Sequence, residues 1–446
     1  MAHGATQITT LTSGVSHWNN YLSSVKKLLI LTYHFPPFDV TASYRPYAYA
    51  RFLEQTGFEV TVLTFDWPSK HTGLELPPLP KSSRVIRVPM TNPDQSTQLP
   101  TLWKVPLLSA AATAVSYTQG IFDYHVESQK KDMDKVINEL LSKETFDLCM
   151  GIFSPHFHLE QCYRIHQKYG IPYVVDFRDV WNNEVLSDDY TPTLKDKWLN
   201  NTILKFWIKW MEQAAGWTTI AQALVDYLSP HFPAEGKEIL NGFDPEDFEE
   251  DVERLDDLTI VHAGTIPEWK PIEPFFEGLA LFVRQHPNIP VRAVFLGVTD
   301  AMEKRLNSLR SRLGLDEQVE FHPRIPKRGA TNWMKRAHLL YYAPSPEVPG
   351  MYNTKFFDYI ASGTPVLVCP REEDVIQKVL AETHTGFMAH TPSEVAVVLK
   401  KAAEALQDGH IIECDRIESA VNVYTRKHQA IKMGNYLNEV LKKLGK

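Results

Sequence analysis

Lys355 and Asp358 stand three residues apart in the segment Met351–Val368, MYNTKFFDYIASGTPVLV, a spacing that puts an ammonium and a carboxylate on one face of a helix. Phe356, Phe357, Ile360 and Ala361 recur at helical spacing, Asn353 and Thr354 suit an N-cap, and Ser362 to Pro365 stop the helix, which is expected over about 355–361. A lysine in the first turn opposes the helix dipole unless an anion is near, so Lys355 suits a phosphate; the competing reading is a solvated lysine with Asp358 helping the turn. Gly264 and Thr265 end the strand LTIVHAG and Lys270 follows in the next loop, again a phosphate position by geometry, although a loop lysine is often just solvated. Arg178, Asp179 and Trp181 follow the strand PYVVDF. Asp179 could hold an acceptor hydroxyl beside the flat wall of Trp181, or Asp176 and Asp179 could fix Arg178 as a structural ion pair. His156 and His158 follow LCMGIF and could meet a substrate or simply pack, and Arg45 could reach a phosphate or carboxylate or form a surface ion pair. Asp132 and Asp134 form a D-x-D, yet in a lysine-flanked helical pattern they diverge and read as a solvated face, so no metal site is expected.

Such residues work together only if their strands end at one place. LLILTY, the loop His34–Tyr44, the helix AYARFLEQTG and the strand VTVLTF make a β-α-β unit. The alternation continues through VIRVPM, a helix around Met133–Leu141, LCMGIF, a helix around Leu159–Tyr169 and YVVDF. It restarts at LTIVHAG and runs through the helix Glu273–Arg284, VRAVFLG, the helix Met302–Leu313, VEFH, the helix Thr331–Arg336 and LLYYA, before the Met351–Val368 segment and three more helices. Two parallel α/β domains in series place a cleft between the carboxyl ends of their strands. The first loop lacks G-x-G-x-x-G, which argues against a nicotinamide or flavin site. The helix Trp198–Met211, with its tryptophans and lysines, could lie on a membrane or pack as a core helix with lysines at its rim.

The chain has 446 residues, too many for one ordinary core, with 43% hydrophobic and 22% charged residues. Its net charge of −8 divides evenly, since residues 1–245 hold 21 Lys+Arg against 25 Asp+Glu and 246–446 hold 25 against 29. Bulk charge therefore argues against a nucleic-acid partner. Cys149, Cys162, Cys369 and Cys414 show no metal-type spacing and are expected to be free thiols in a reducing compartment. The first residues show no secretory signal, and the longest apolar stretch, Val105–Val115, is too short to span a bilayer, so a cytoplasmic location with at most peripheral contact at the inner membrane face is expected.

YHFPP with Arg45, DFRDVW, EQAAGWTTIAQAL, ILNGFDPEDF, VHAGTIPEWK, VEFHPRIP and TKFFDYIASGTPVL occur in an order and spacing that resembles the family 4 glycosyltransferases of bacterial surface-polysaccharide synthesis, over nearly the whole chain. The resemblance implies GT-B architecture: two Rossmann-like parallel α/β domains facing a central cleft, here with an arm over 1–26, an acceptor-side domain over 27–243, an acidic linker over 244–257, a nucleotide-sugar domain over 258–424 and a helix over 425–446 crossing back. It implies a retaining, metal-independent transfer of a sugar from a nucleotide donor, UDP- or GDP-linked, to a sugar or lipid-linked sugar acceptor, with no further cofactor. By this match Lys270 contacts the donor diphosphate, Asp358 holds the ribose hydroxyls, and Arg324 and Ile325 frame the base; Gly264, Thr265, Thr354 and Lys355 are donor-site candidates by their place at a strand end and a helix start. Arg45, His156, Arg178, Asp179 and Trp181 fall on the acceptor side. Thr265 stands where the family often has arginine, so Lys355 or Arg45 would assist Lys270. Gly350 stands where the family has an acidic residue, and Glu347 is near enough to substitute. An epimerase or hydrolase of the same architecture, or an inactive glycosyltransferase-like subunit, are the alternatives.

Overall fold

The computed structural model describes residues 25–68, 73, 74, 76–90, 115–122, 126–182, 186, 190–266, 270–344, 349–371 and 373–446. Most of the expected arm, the apolar stretch up to residue 114 and Glu347 lie outside them.

The first sheet contains β1 (Lys26–Leu31), β2 (Phe58–Asp66), β3 (Ser83–Pro89), β4 (Leu148–Phe153), β5 (Tyr173–Phe177), β6 (Gly216–Thr219) and β7 (Gly236–Glu238). Their order is β3-β2-β1-β4-β5-β6-β7, and every pairing is parallel. Leu28 to Leu31 and all of β4 and β5 are buried, as a strand covered on both faces by helices must be. The second sheet contains β8 (Leu258–Ala263), β9 (Val291–Leu296), β10 (Val319–His322), β11 (Leu339–Tyr342), β12 (Val366–Val368) and β13 (Gly386–Met388), also all parallel, in the order β10-β9-β8-β11-β12-β13. Both orders reverse once, between β1 and β4 and between β8 and β11. Loops diverge at such a switch point and leave a crevice at the carboxyl ends of the strands.

Helix α1 (Tyr44–Phe52) starts four residues before the apolar pattern suggests, with Pro46 in its first turn, where a missing N–H costs nothing. It passes into a 3-10 turn over Leu53–Thr56 and stops at Gly57, whose φ of 88° suits glycine. Further helices among the described residues of this half are α2 (Glu127–Lys143), α3 (Phe157–Tyr169), α4 (Leu194–Met211) and α5 (Gln222–Leu228). Thr193 and Asp196 form a capping box at the start of α4, which buries Ile203, Trp207, Trp210 and Met211 against the first sheet. The second half carries α6 (Glu273–Gln285), α7 (Asp300–Leu313), α8 (Lys327–Arg336), α9 (Thr354–Ala361), α10 (Val375–Thr383) and α11 (Pro392–Gln407). After a short α12 (Glu418–Asn422) comes α13 (Arg426–Lys443).

Helix α13 packs on the first sheet's half: Met433, Tyr436, Leu437 and Leu441 share a core with Leu28, Tyr47 and Phe58. The Tyr436 hydroxyl accepts from Trp217 N at 2.9 Å, and Asn438 Nδ2 donates to Thr56 O at 2.9 Å. Residues 244–257, the expected acidic linker, are exposed at about half of their positions and are also pinned by ion pairs. Asp244 pairs with Arg426, Asp247 with Lys327, Glu246 with Arg51 and Glu250 with Arg328, while Lys335 donates to the Phe248 carbonyl at 2.6 Å. The acidic run meets basic residues from α1, α8 and α13, a meeting no local pattern reveals. No described helix is long and apolar enough to cross a membrane.

Candidate functional site at two switch points

At the second switch point, β8 ends at Ala263 and leads into Gly264, whose φ of 140° is closed to most side chains. A Cβ there would stand 3.6 Å from Lys355 Cγ, so the lysine stem of α9 lies against the glycine that ends β8. Asn353 caps α9, its Oδ1 accepting from Lys355 N at 3.0 Å. Lys270 is 4% exposed and donates from Nζ to the Ala343 carbonyl at 2.6 Å, just past the end of β11. It therefore bridges the two strands that flank the switch point, with its ammonium 5.5 Å from the Tyr342 ring centre. His262, one residue before the end of β8, has its pKa lowered to about 4 by burial, with the charges of Lys270 and Lys355 pushing the same way. Lys270 through the Ala343 carbonyl and Lys355 through Gly264 thus stand at the ends of β11 and β8.

Asp358, one turn along α9 from Lys355, is 5% exposed, and its Oδ1 is buried with no hydrogen-bond partner. An orphaned buried carboxylate oxygen costs its full desolvation unless something else supplies a donor. Arg426, whose charge Asp244 and then Asp358 support, keeps its hydrogen bond on Asp244. Thr265 and Arg324 are exposed, Thr354 and Ile325 are half-buried, and Ile325 packs on the cluster of Tyr342, Phe356 and Phe357. Gly350, where an acidic residue would stand, has φ 75°, and a Cβ would lie 2.6 Å from that of Ala223 on α5. Glycine is what lets the backbone approach the first half so closely there.

The first switch point is built from other chemistry. Arg45 is buried and faces no crevice: Nε and Nη2 reach Asp176 at 2.7 and 2.8 Å, and Nη1 donates to the Leu240 carbonyl at 2.8 Å. Thr218 Oγ1 and the Tyr49 hydroxyl add to the same carboxylate at 2.7 and 3.3 Å. Asp176 is therefore held by Arg45, not by Arg178, and Arg45 is not in position to assist Lys270. Arg178 has its pKa lowered by burial, against the support of Asp179. His156 accepts at Nδ1 from Trp207 Nε1 at 2.9 Å, and burial lowers its pKa to about 3. The Trp181 indole donates to Asn200 Oδ1 at 2.9 Å and meets Trp207 edge-on at 4.9 Å. His34 stacks with Phe38 and Trp67, and burial, then Arg178, lowers its pKa to about 3. Asp134 accepts from Gln161 Nε2 at 2.8 Å and pairs with Lys130, so it is a tie between α2 and α3 rather than a solvated group.

Sequence patterns missed His262, Tyr359, whose hydroxyl takes the Ala263 N–H at 2.6 Å, and Tyr44, over which Lys327 and Arg426 sit at 4.4 and 4.8 Å. The only sequence signal for the first two was their place at a strand end and on the α9 face.

No protein-family model and no curated protein matches the chain. Solved structures do match in shape. A sucrose-phosphate synthase from Thermosynechococcus elongatus superposes with a TM-score of 0.60 at 13% identity, covering 94% of this chain and 100% of its own. HepE from Anabaena, solved with UDP and glucose, gives 0.54 at 15% identity, covering 93% and 100%. An alpha,alpha-trehalose-phosphate synthase (UDP-forming) from Burkholderia vietnamiensis gives 0.57 at 10% identity, covering 94% and 100%. The fold is GT-B. At such identities the GT-B likeness speaks for the architecture of the two halves and leaves the choice of substrate to the site itself.

Proposed function

We propose that this chain is a glycosyltransferase that takes a sugar from a nucleotide-sugar donor bound on its second half and passes it to a hydroxyl acceptor in glycan or polysaccharide synthesis. The observation that carries the reading is the buried, unpartnered Oδ1 of Asp358 beside the Lys270–Lys355–Gly264 crevice. A ribose supplies hydroxyl donors to such an oxygen, and a diphosphate supplies the anion that two lysines at a switch point want. HepE was solved with UDP-glucose, which makes a UDP-linked donor the first to test.

In the reaction the bond between the sugar's anomeric carbon and the diphosphate oxygen breaks, and the acceptor oxygen forms the new bond on the same face, retaining configuration. Negative charge grows on the leaving diphosphate. Lys270, held by Ala343, and Lys355, laid over Gly264, stand as fixed positive partners for that charge without a metal. The described acceptor-side histidines are pushed toward the neutral form, and the leaving phosphate itself takes the acceptor proton. Arg324 and Ile325 frame the base, with Thr265 and Thr354 at the phosphates; Arg178, Asp179, Trp181 and His156 line the acceptor side, and no further cofactor enters.

A screen of UDP- and GDP-sugars for thermal stabilisation tests this. A true donor at about 100 times its dissociation constant adds about 2.7 kcal/mol, and the same compound should release its nucleotide diphosphate only when an acceptor is added. Stabilisation by no nucleotide sinks the proposal, and turnover without acceptor would point to a hydrolase or epimerase.

A further inference from the structure

Helix α4 is two-faced in an uncommon way. Its inner side is core, yet its outer side exposes Leu194 at 87%, Trp198 at 41% and Ile208 at 40%. No other described helix carries three such side chains. At about 100° per residue, Leu194, Trp198, Lys205 and Ile208 fall within an arc of about 80°, with Lys197 and Lys209 at its edges. Val115 is 56% exposed, and Tyr117, two residues on, stacks with Trp198 at 6.4 Å, so a second segment extends the patch. The chain is acidic, with net charge −8, but this face is basic. Lys197, Lys205 and Lys209 stand on it or at its edges against Glu212 alone, which caps its far end.

We propose that the outer face of α4 is a docking surface for an anionic lipid bilayer. Tryptophan, leucine and isoleucine suit the boundary between headgroup and acyl chain, and lysines beside them reach lipid phosphates. A polar protein partner would have no use for an exposed Leu–Trp–Ile row, and a purely apolar one would leave the ammonium groups without counter-charge. The inner face of the same helix holds Trp181, through Asn200 and Trp207. Docking would set the acceptor side of the first switch point next to the membrane, where a lipid-borne acceptor arrives. That last link rests on the proposed function; the docking itself does not.

Flotation of the full chain with vesicles separates the cases. Binding is expected to mixed phosphatidylcholine–phosphatidylglycerol vesicles and not to phosphatidylcholine alone, and it should fall as salt is raised. The double variant Lys205→Gln with Lys209→Gln should bind roughly 30-fold more weakly, and Trp198→Ser with Ile208→Ser should lose most binding. Both pairs are solvent-facing, and both should keep the thermal shift that a nucleotide gives the wild type, so loss of docking and loss of the donor site are read separately. Absence of phosphatidylglycerol-dependent flotation, or flotation unchanged in both variants, overturns the proposal. A wild-type dimer that Trp198→Ser with Ile208→Ser converts to monomer would assign the face to a second copy and overturn it too.

Discussion

The two sheets repeat one topology and end in opposite chemistry. Each reverses its strand order once, but the crevice between β8 and β11 presents two lysines and an unpartnered carboxylate oxygen, whereas the one between β1 and β4 presents buried imidazoles, aromatic rings and an arginine already spent on Asp176. Arg45 meets its counter-charge inside the protein, whereas Asp358 Oδ1 is buried with no donor. The same frame therefore separates a structural ion pair in the first half from the proposed donor site in the second.

The largest expected effect breaks the first half. Asp176→Ala strands the Arg45 guanidinium, 4% exposed, in the core and should cost about 3–5 kcal/mol in urea unfolding. Nucleotide affinity of the folded fraction should not change; a parallel loss of affinity would mean the two crevices are not separable. Next comes Lys270→Ala, for which kcat/KM should fall by the equivalent of about 2–4 kcal/mol, as when a charge-stabilising donor is removed. Near-normal turnover would end its role at the leaving diphosphate. A smaller effect depends on pH. His158 is fully buried and its folded-state pKa is lowered from 6.5 to about 4, so the unfolded chain binds more protons between those values. Its contribution is complete above about pH 6.5 and is lost as pH falls toward 4, by about 1–2 kcal/mol near pH 5. In His158→Gln the urea midpoint should fall less steeply over that window than in the wild type, and an equal slope would show that His158 is not what charges on unfolding.

Much of this frame was legible beforehand. The apolar runs Leu148–Phe153 and Tyr173–Phe177 are strands at those bounds, because a strand buried on both faces cannot hide its composition; Val319–His322 also keeps its expected bounds, although it is an edge strand with only Val319 buried. The short β6, β7 and β13 passed unnoticed: each begins with glycine, and β7 is otherwise charged, so their pairing comes from neighbours rather than from their own pattern. Helix α8 starts at Lys327 rather than Thr331, since Lys327 and Arg328 are fixed by Asp247 and Glu250 from the acidic segment. In the site, the neighbours of Asp358 and Lys355 along α9 could be read from spacing. The partner of Arg45 could not, because Asp176 lies 131 residues away and competes with the adjacent Arg178 in any local reading. Gly350 shows the same limit. Its departure from the family pattern reads as a lost acidic group, but in space it is a left-handed residue pressed on Ala223 of the first half.

The central claim is that Asp358 holds the nucleotide of a sugar donor, and titration calorimetry of the preferred nucleotide into wild type and Asp358→Ala tests it most directly. With the fold intact by circular dichroism, the account predicts that the variant loses about 1–3 kcal/mol of binding free energy, the worth of hydrogen bonds to a buried charged group. Unchanged affinity would contradict it.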